Sequence, residues 1–211
     1  QIYKVFFNNI SFEIKPFSNI YSKSSCVLFF NSFNEFIFAI DDVLKNKETC
    51  RKQLILKSHN VNGDWIALID NLHKFEFIIA AGGIVENNLK EWLFIFRNGV
   101  WDLPKGKVEK NERLEVAAER EISEECGLSE MRLGSFITKT HHMYHENGVI
   151  KLKETHWFSF YSNQFKDLKP QLEEGIINLK WVSNKDLEAI LSNSFFSIQE
   201  LVKIHLLHYR V

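Results

Sequence analysis

The sequence predicts an α/β fold class, with a sandwich in which strands of a mixed sheet are accompanied by helices. Apolar or alternating runs at residues 10–14, 77–85 and 92–96 are typical of strands. Apolar residues at helical spacing over residues 33–44 and 111–126 are typical of amphipathic helices. Because both patterns recur along the 211 residues, we expect a sheet covered by helices rather than an all-helical or all-strand protein.

A small α+β N-terminal domain is predicted for residues 1–75. Its expected strands are residues 5–7, 10–14, 26–30 and 54–56. Its expected helices are residues 33–44 and 65–72, and the second helix follows the turn-forming residues Asn62-Gly63-Asp64. The pattern assigns no role to this domain. It can cover the active site, pair two subunits, or only pack against the sheet.

A second domain is predicted for residues 76–211. Its expected strands are residues 77–85, 92–96 and 180–182, with a long hairpin of residues 131–144 and 149–161 around an Asn-Gly turn. Its expected helices are residues 111–126, 184–191 and 197–209. Sheet and helices together are enough to bury one large core.

Composition excludes some functions and locations. The 26 basic and 27 acidic residues give a net charge of −1, which provides no general electrostatic attraction for nucleic acid or an anionic membrane. Three cysteines without CxxC spacing argue against a disulfide framework and structural zinc. The first residues have a strand pattern rather than that of a signal peptide, and no apolar run is long enough for a membrane helix. We therefore expect a cytoplasmic protein.

The helix at residues 111–126 carries carboxylates where a core-facing stripe is expected. On a helical wheel Glu121 and Glu125 fall within the apolar stripe, and Glu124 lies at its margin. Buried carboxylates need partners, and like charges four residues apart repel. A divalent cation such as Mg²⁺ satisfies both requirements with oxygen ligands. The alternative is a solvent-exposed acidic helix. Asn111 is the expected N-cap, and Gly127 is expected just beyond the C-terminus.

The residues around this helix identify a family. Gly106 is followed after five residues by Glu112, and after seven more by the run Arg120-Glu121-Ile122-Ser123-Glu124-Glu125-Cys126-Gly127-Leu128. This arrangement resembles the Nudix box over residues 106–128 at every specified position. The resemblance implies a Nudix-type α/β/α sandwich and a hydrolase that cleaves a pyrophosphate bond.

The resemblance also implies roles for individual residues. Glu121, Glu124 and Glu125, with the backbone carbonyl of Lys105, match metal ligands for Mg²⁺, for which Mn²⁺ can substitute. Arg120 matches the arginine that orients the glutamates.

Two further positions concern structure and the general base. Glu112 matches a mainly structural partner at the start of the helix. The general base is left open between Glu121 and a glutamate of a later loop, where Glu173 and Glu174 stand; the alternative for this pair is an exposed loop.

Basic and aromatic residues near the box are candidates for substrate binding: Arg97, Lys105, Lys107, Tyr144 and Lys153. Their alternative is an ordinary solvated surface. The run from Leu103 to Glu109 is similar to Nudix enzymes that act on polyphosphates, so the expected substrate is a small-molecule nucleotide, leaning to a (di)nucleoside polyphosphate. The alternatives are an ADP-ribose or nucleotide-sugar pyrophosphatase, or a non-catalytic nucleotide sensor. No stable nucleic-acid partner is expected, and a homodimer is possible.

Overall fold

The structure is a computed structural model that describes residues 3–7, 10–16, 27–46, 52–72, 76–147, 149–164 and 166–209. Cys26, Cys50 and Gly148, which entered the sequence predictions, lie outside these ranges. The chain divides into two compact units: unit 1 comprises Gln1–Phe77 and His141–Leu152, and unit 2 comprises Ile78–Thr140 and Lys153–Val211. Across the described ranges, no helix has the length and apolar character needed to span a bilayer.

Unit 1 contains a mixed sheet with two helices. Its elements are β1 (Tyr3–Phe7), β2 (Ile10–Pro16), β3 (Val27–Phe30), α1 (Phe33–Asn46), β4 (Lys52–Ser58) and α2 (Val61–Leu72). Strand β2 pairs antiparallel with β1 and parallel with β4, and β3 pairs parallel with β4. Apolar residues of these strands form one core with those of α1 and α2. Where the structure describes them, the strands and helices predicted for this unit are present, but α2 begins before the predicted residue 65.

Unit 1 also includes part of the long hairpin, which the sequence did not indicate. Residues Val5, Phe6 and Phe7 of β1 pair in parallel with His141, His142 and Met143. Met143 and Leu152 are completely buried in the core of unit 1. The predicted boundary near residue 75 therefore lies close to the end of the first segment of unit 1, at Phe77. The unit also contains a second segment, residues 141–152, which the prediction did not include.

Unit 2 contains the remaining strands and three helices. Its elements are β5 (Glu76–Glu86, in this unit from Ile78), β6 (Trp92–Arg97), β7 (Val100–Asp102), β8 (Lys105–Lys107), α3 (Leu114–Cys126), β9 (Arg132–Glu146, in this unit up to Thr140), β10 (Val149–Tyr161, in this unit from Lys153), a 3₁₀ turn (Leu172–Glu174), β11 (Ile176–Val182), α4 (Leu187–Ser192) and α5 (Phe196–Tyr209). The strand order is β11-β6-β5-β10-β9, with β7 paired to β6 and β8 to β5.

Helices cover both faces of this sheet. On β6, Leu93 and Ile95 pack in one core with α3, whereas Trp92 and Phe94 pack in another core with α4 and α5. Alternate residues of a strand point to opposite faces, so the two cores lie on opposite sides of the sheet. The predicted α/β/α sandwich is confirmed.

The start of α3 differs from the prediction. The helix begins at Leu114, and its N-cap residue Arg113 makes no side-chain capping bond. Asn111 was wrongly predicted as the N-cap. It has a φ of 66°, a left-handed conformation that asparagine tolerates better than most residues, and it forms the turn before the helix.

The start of α2 also differs. The helix already begins at Val61, so Asn62, Gly63 and Asp64 lie in its first turn instead of preceding it. The side-chain oxygen of Asn60 accepts a hydrogen bond from the Gly63 N–H at 3.2 Å. This capping bond offsets the low helix propensity of glycine at the helix start.

Candidate active site

Helix α3 is fixed by its apolar face and by its last turn. Ala117, Ala118, Ile122 and Cys126 are completely buried, as the helical wheel predicts, so Cys126 is a core residue. Gly127 ends the helix with a φ of 69° and donates its N–H to Ser123 O at 2.8 Å. A Cβ at Gly127 would lie 2.9 Å from Lys169 N. Only glycine suits this position, because both the backbone conformation and the close loop exclude a side chain.

The three box glutamates have very different exposures. The side chains of Glu125, Glu121 and Glu124 are 2%, 14% and 48% exposed, respectively. On the helical wheel Glu124 lies at the edge of the apolar stripe, so its side chain is expected to be more exposed than those of Glu121 and Glu125. The simple exposed-helix alternative therefore does not apply to Glu121 and Glu125.

Arg120 joins the glutamates to the start of the box. Its Nε and Nη2 donate to the two carboxylate oxygens of Glu112, both at 2.9 Å. Its Nη1 donates to Glu121 Oε1 at 2.8 Å and to Glu124 Oε2 at 3.0 Å. Its Nη2 also donates to Lys107 O at 3.0 Å. The guanidinium uses its fixed fork of donors to set the orientation of three carboxylates and one loop carbonyl.

This pairing changes the protonation of both partners. The Arg120 hydrogen bonds, assisted by the N–H of Glu109, lower the pKa of Glu112 to about 2. The bond with Glu112 in turn raises the pKa of Arg120. Glu112 and Arg120 therefore stay charged as a pair, which agrees with a structural position for Glu112.

Glu125 lies in the opposite environment. Its Oε2 accepts the backbone N–H of Lys105 at 2.8 Å, and Arg97 Nη1 approaches Oε1 at 3.4 Å. Burial raises the pKa of Glu125 to about 7, against the opposing effects of the Lys105 ammonium, the Lys105 N–H and Arg97, while Asp102 raises it further. A carboxylate with this pKa binds a cation or a proton readily, because its charge is poorly solvated.

Glu121 lies directly against the box glycine. A Cβ at Gly106 would approach Glu121 Oε2 to 1.9 Å, so any side chain there would displace the carboxylate. Burial raises the pKa of Glu121 despite the opposing Arg120, and Glu124 and Glu174 add to the rise. Glu174 is exposed in the 3₁₀ turn, so this loop carboxylate acts on Glu121 from outside the helix.

Three of the predicted substrate cations act on the fourth, Lys153. Burial lowers the pKa of Lys153 to about 8, and Lys105, Arg97 and Lys107 lower it further, while Asp102 opposes them. Two of these cations, Arg97 and Lys105, also act on Glu125. Tyr144 belongs to unit 1, so its proposed contact with substrate stays a prediction.

Asp102 was missed by the sequence predictions. Its carboxylate binds the ammonium of Lys105, which the sequence assigned to substrate phosphates. Opposite charges three residues apart, as at positions 102 and 105, indicate an ion pair in a helix. Outside a helix the same spacing is weak evidence for one.

The sequence model of the NUDIX domain family matches residues 76–199. The chain belongs to the Nudix family. A C. elegans Ap4A hydrolase, solved as a binary complex, superposes with a TM-score of 0.51 at 21% identity, covering 63% of this chain and 98% of that one. A NUDIX hydrolase from Nitrosomonas europaea gives a TM-score of 0.50 at 18% identity, covering 63% and 90%. At these identities the two structures show a shared Nudix fold.

Membership makes this chain a Nudix pyrophosphohydrolase. The family acts on small nucleotide substrates and generally uses a divalent metal ion. The box at residues 106–128 lies inside the matched region, so the glutamates and their partners described above belong to the Nudix domain.

The Nudix glutamates provide the oxygen donors that a divalent ion requires, but their carboxylates are held by other groups. Within the described residues, no three His, Cys, Asp or Glu side chains form a ready-made set around one point. The reason is visible in the contacts: Arg120 holds Glu121 and Glu124, and the Lys105 N–H holds Glu125. Three carboxylates within one helical turn, two of them with raised pKa, fit a hard cation once their side chains rotate toward it.

Proposed function

We propose that this Nudix enzyme hydrolyses a pyrophosphate bond in a (di)nucleoside polyphosphate, with Mg²⁺ as its metal ion. The carrying observation is that Arg97, Lys105 and Lys107 all lie close enough to the desolvated Lys153 to lower its pKa, and that Arg97 and Lys105 also act on the buried Glu125. Bringing positive groups together at a desolvated position costs free energy, and a substrate with several phosphate charges offsets that cost. A polyphosphate provides more such charge than a single diphosphate bridge.

Glu121, Glu124 and Glu125, with the carbonyl of Lys105, would hold the metal. When bound, Mg²⁺ neutralises phosphate oxygens and lowers the pKa of water. Mn²⁺ has similar oxygen preferences and is the natural substitute. The hydrogen bonds of Arg120 orient Glu121 and Glu124 for this task.

The chain offers two candidates for the general base. Glu121 is partly buried beside Gly106, and Glu174 is exposed but close enough to raise the pKa of Glu121. We propose that one of them accepts the proton of the attacking water, and the variants E121Q and E174Q separate the two. Because Glu121 is also a proposed metal ligand, kcat is compared at saturating Mg²⁺: Glu174 is the base if E174Q lowers kcat without changing the affinity for Mg²⁺, and Glu121 is the base if E174Q keeps the wild-type kcat while E121Q does not.

The cations would bind the phosphates of the substrate. Arg97, Lys107 and Lys153 are proposed to contact phosphate oxygens. Lys105 would join them only by leaving Asp102, to which its ammonium is bound. Stacking of Tyr144, a residue of unit 1, on a base stays a separate prediction. A cytoplasmic location and a possible homodimer stay predictions.

A hydrolysis panel tests the proposal with purified protein and either Mg²⁺ or Mn²⁺. It contains dinucleoside polyphosphates, nucleoside triphosphates, ADP-ribose and sugar nucleotides. We expect the highest kcat/KM for a substrate with three or more phosphates, and a loss of about 10-fold in K153M, in the range of one lost charge-assisted contact. K180M, at an exposed position of β11, is the matched control.

Three results contradict the proposal. Preference for ADP-ribose or a sugar nucleotide identifies the alternative pyrophosphatases. Nucleotide binding without a phosphate product identifies a sensor. If kcat/KM is unchanged in K153M, the cations do not determine the class of substrate.

A further inference from the structure

Asp102 and Lys105 form a buried ion pair at the entry to the box. Asp102 is the last residue of β7, and its side chain is 4% exposed, against 15% for Lys105. One Asp102 oxygen accepts the N–H of Leu103 at 2.8 Å, and the other accepts from the Lys105 ammonium. The ammonium also donates to Leu103 O at 3.3 Å. Both ends of the short segment 102–105 are therefore held by its own side chains.

Lys105 connects this pair to Glu125. Its side chain is fixed on Asp102, while its backbone N–H donates to Glu125 Oε2 at 2.8 Å. The intervening Pro104 has a restricted φ, and its carbonyl accepts the N–H of Gly83 at 3.1 Å. The ammonium–carboxylate bond is thus one of the contacts that restrain the main chain on either side of the Lys105 N–H, together with the pairing of Lys105 and Gly82 between β8 and β5.

We propose that Asp102 is a positioning residue for the pyrophosphatase reaction, acting through Lys105 to orient Glu125. This inference rests on the proposed function for its link to catalysis, while the orientation of Lys105 can be measured independently. Asp102 itself does not contact the reacting atoms. It holds the Lys105 ammonium, and the Lys105 main chain then presents its N–H to the carboxylate.

Three variants of the full chain test this inference. D102N keeps an oxygen for the Leu103 N–H but loses the charge; K105M keeps the backbone N–H but loses the ammonium; D102N/K105M loses both. D186N is the matched control, because Asp186 is an exposed aspartate whose carboxylate accepts a bond from Ser183 at 2.8 Å. Hydrogen exchange of the Lys105 amide is measured by NMR. The values of kcat and KM are measured with the substrate that has the highest kcat/KM in the hydrolysis panel.

We expect the amide of residue 105 to exchange at least about 10-fold faster in D102N and in K105M than in the wild type, because its bond to Glu125 is less persistent. Each single variant should lower kcat about 10-fold, a typical loss for a residue supporting a metal ligand, with KM changed less than about 3-fold. The double variant should lose no more than either single variant, since both act through one contact.

Wild-type amide exchange and wild-type kcat in D102N overturn the inference, and so do losses that multiply in the double variant. If D102N does not fold, K105M decides alone: unchanged exchange of its residue 105 amide overturns the inference, and faster exchange supports it. If the panel yields no hydrolysis, the proposed function fails, whereas the exchange rates still test the positioning by Asp102.

Discussion

Glu112 precedes α3 and Glu125 lies in its last turn, and the structure shifts their pKa in opposite directions. Glu112 accepts two hydrogen bonds from Arg120 and has a pKa of about 2. Glu125 is more deeply buried, accepts one good hydrogen bond from a neutral N–H, and has a pKa of about 7. A matched guanidinium stabilises one charge, while burial without a full counter-charge destabilises the other.

This difference separates a carboxylate that is paired within the protein from one that we propose binds the metal. Glu112 already has its cation in the protein, so it has little capacity for another. Among the described residues, the cations that act on Glu125 are the more distant Arg97 and the ammonium of Lys105, which is shared with Asp102. Perturbed carboxylates of the second kind are concentrated at functional sites, because their instability is relieved by a ligand.

The largest expected effect is that of E125Q on activity. Glutamine keeps the shape but loses the charge proposed to hold the metal, so hydrolysis should fall at least about 100-fold, as for the loss of a group that stabilises the transition state. The metal-free protein should be as stable as the wild type or more stable, because a poorly solvated charge is removed. Turnover and Tm are measured on the same preparations.

E119Q is the control for E125Q, since Glu119 is an exposed glutamate of α3. The proposed difference between Glu112 and Glu125 is contradicted if E125Q keeps full turnover, or if the Tm of E125Q lies well below that of E119Q.

R120Q should combine a loss of stability with a loss of activity. It leaves Glu112, Glu121 and Glu124 without their guanidinium, which should cost about 2 kcal/mol in unfolding free energy. Activity should fall about 30-fold, within the range for residues that orient metal ligands. Urea unfolding and kcat measure the two effects, and R113Q, at an exposed arginine before the helix, should change neither by much. A stable and fully active R120Q disproves the role of Arg120.

G106A should affect activity more than stability. The new Cβ collides with the end of the Glu121 side chain, which can rotate away at small cost, but the carboxylate then leaves its position. We expect kcat to fall about 10-fold, since small misplacements of catalytic groups are costly. G99A should show the reverse pattern: its surroundings are open, but its φ of 81° is strained for alanine. Equal losses of Tm in both variants would argue against a specific displacement of Glu121.

E112Q should have the smallest effect, and that effect should depend on pH. The folded pKa of about 2 lies below the ordinary value of 4.5, so Glu112 stabilises the fold above about pH 4.5 and loses this contribution as pH falls toward 2. The variant should be about 1 kcal/mol less stable at pH 7, allowing for solvent screening, and closer to the wild type at pH 3. Urea unfolding at both pH values measures the difference. A pH-independent difference indicates loss of packing instead.

Much of the fold was predictable because it depends on local patterns. Alternating and continuous apolar runs located the strands, and the buried face of α3 followed from a spacing that places Ala117, Ala118, Ile122 and Cys126 on one side. The helix starts were less predictable. Several polar residues near each start can cap a helix, and only the backbone conformation shows that Asn111 forms a turn and Asn60 a cap.

The site was predictable as a set of residues more than as a set of contacts. The box spacing fixes which glutamates share a turn of α3, and the wheel separates Glu124 from Glu121 and Glu125. It does not indicate that the Lys105 ammonium faces Asp102 or that Arg97 approaches Glu125. Those contacts join β6, the box entry and α3, so they depend on how distant segments pack.

The sequence by itself determined the family, the box helix, its apolar face and its end at Gly127, because these follow from periodicity and from fixed spacing of residue types. Only the tertiary structure decided which carboxylates are solvated, which cation each one meets, and which turn brings Glu174 near Glu121. The physical reason is that burial and electrostatic interaction depend on distances in space, and residues far apart in the chain set those distances.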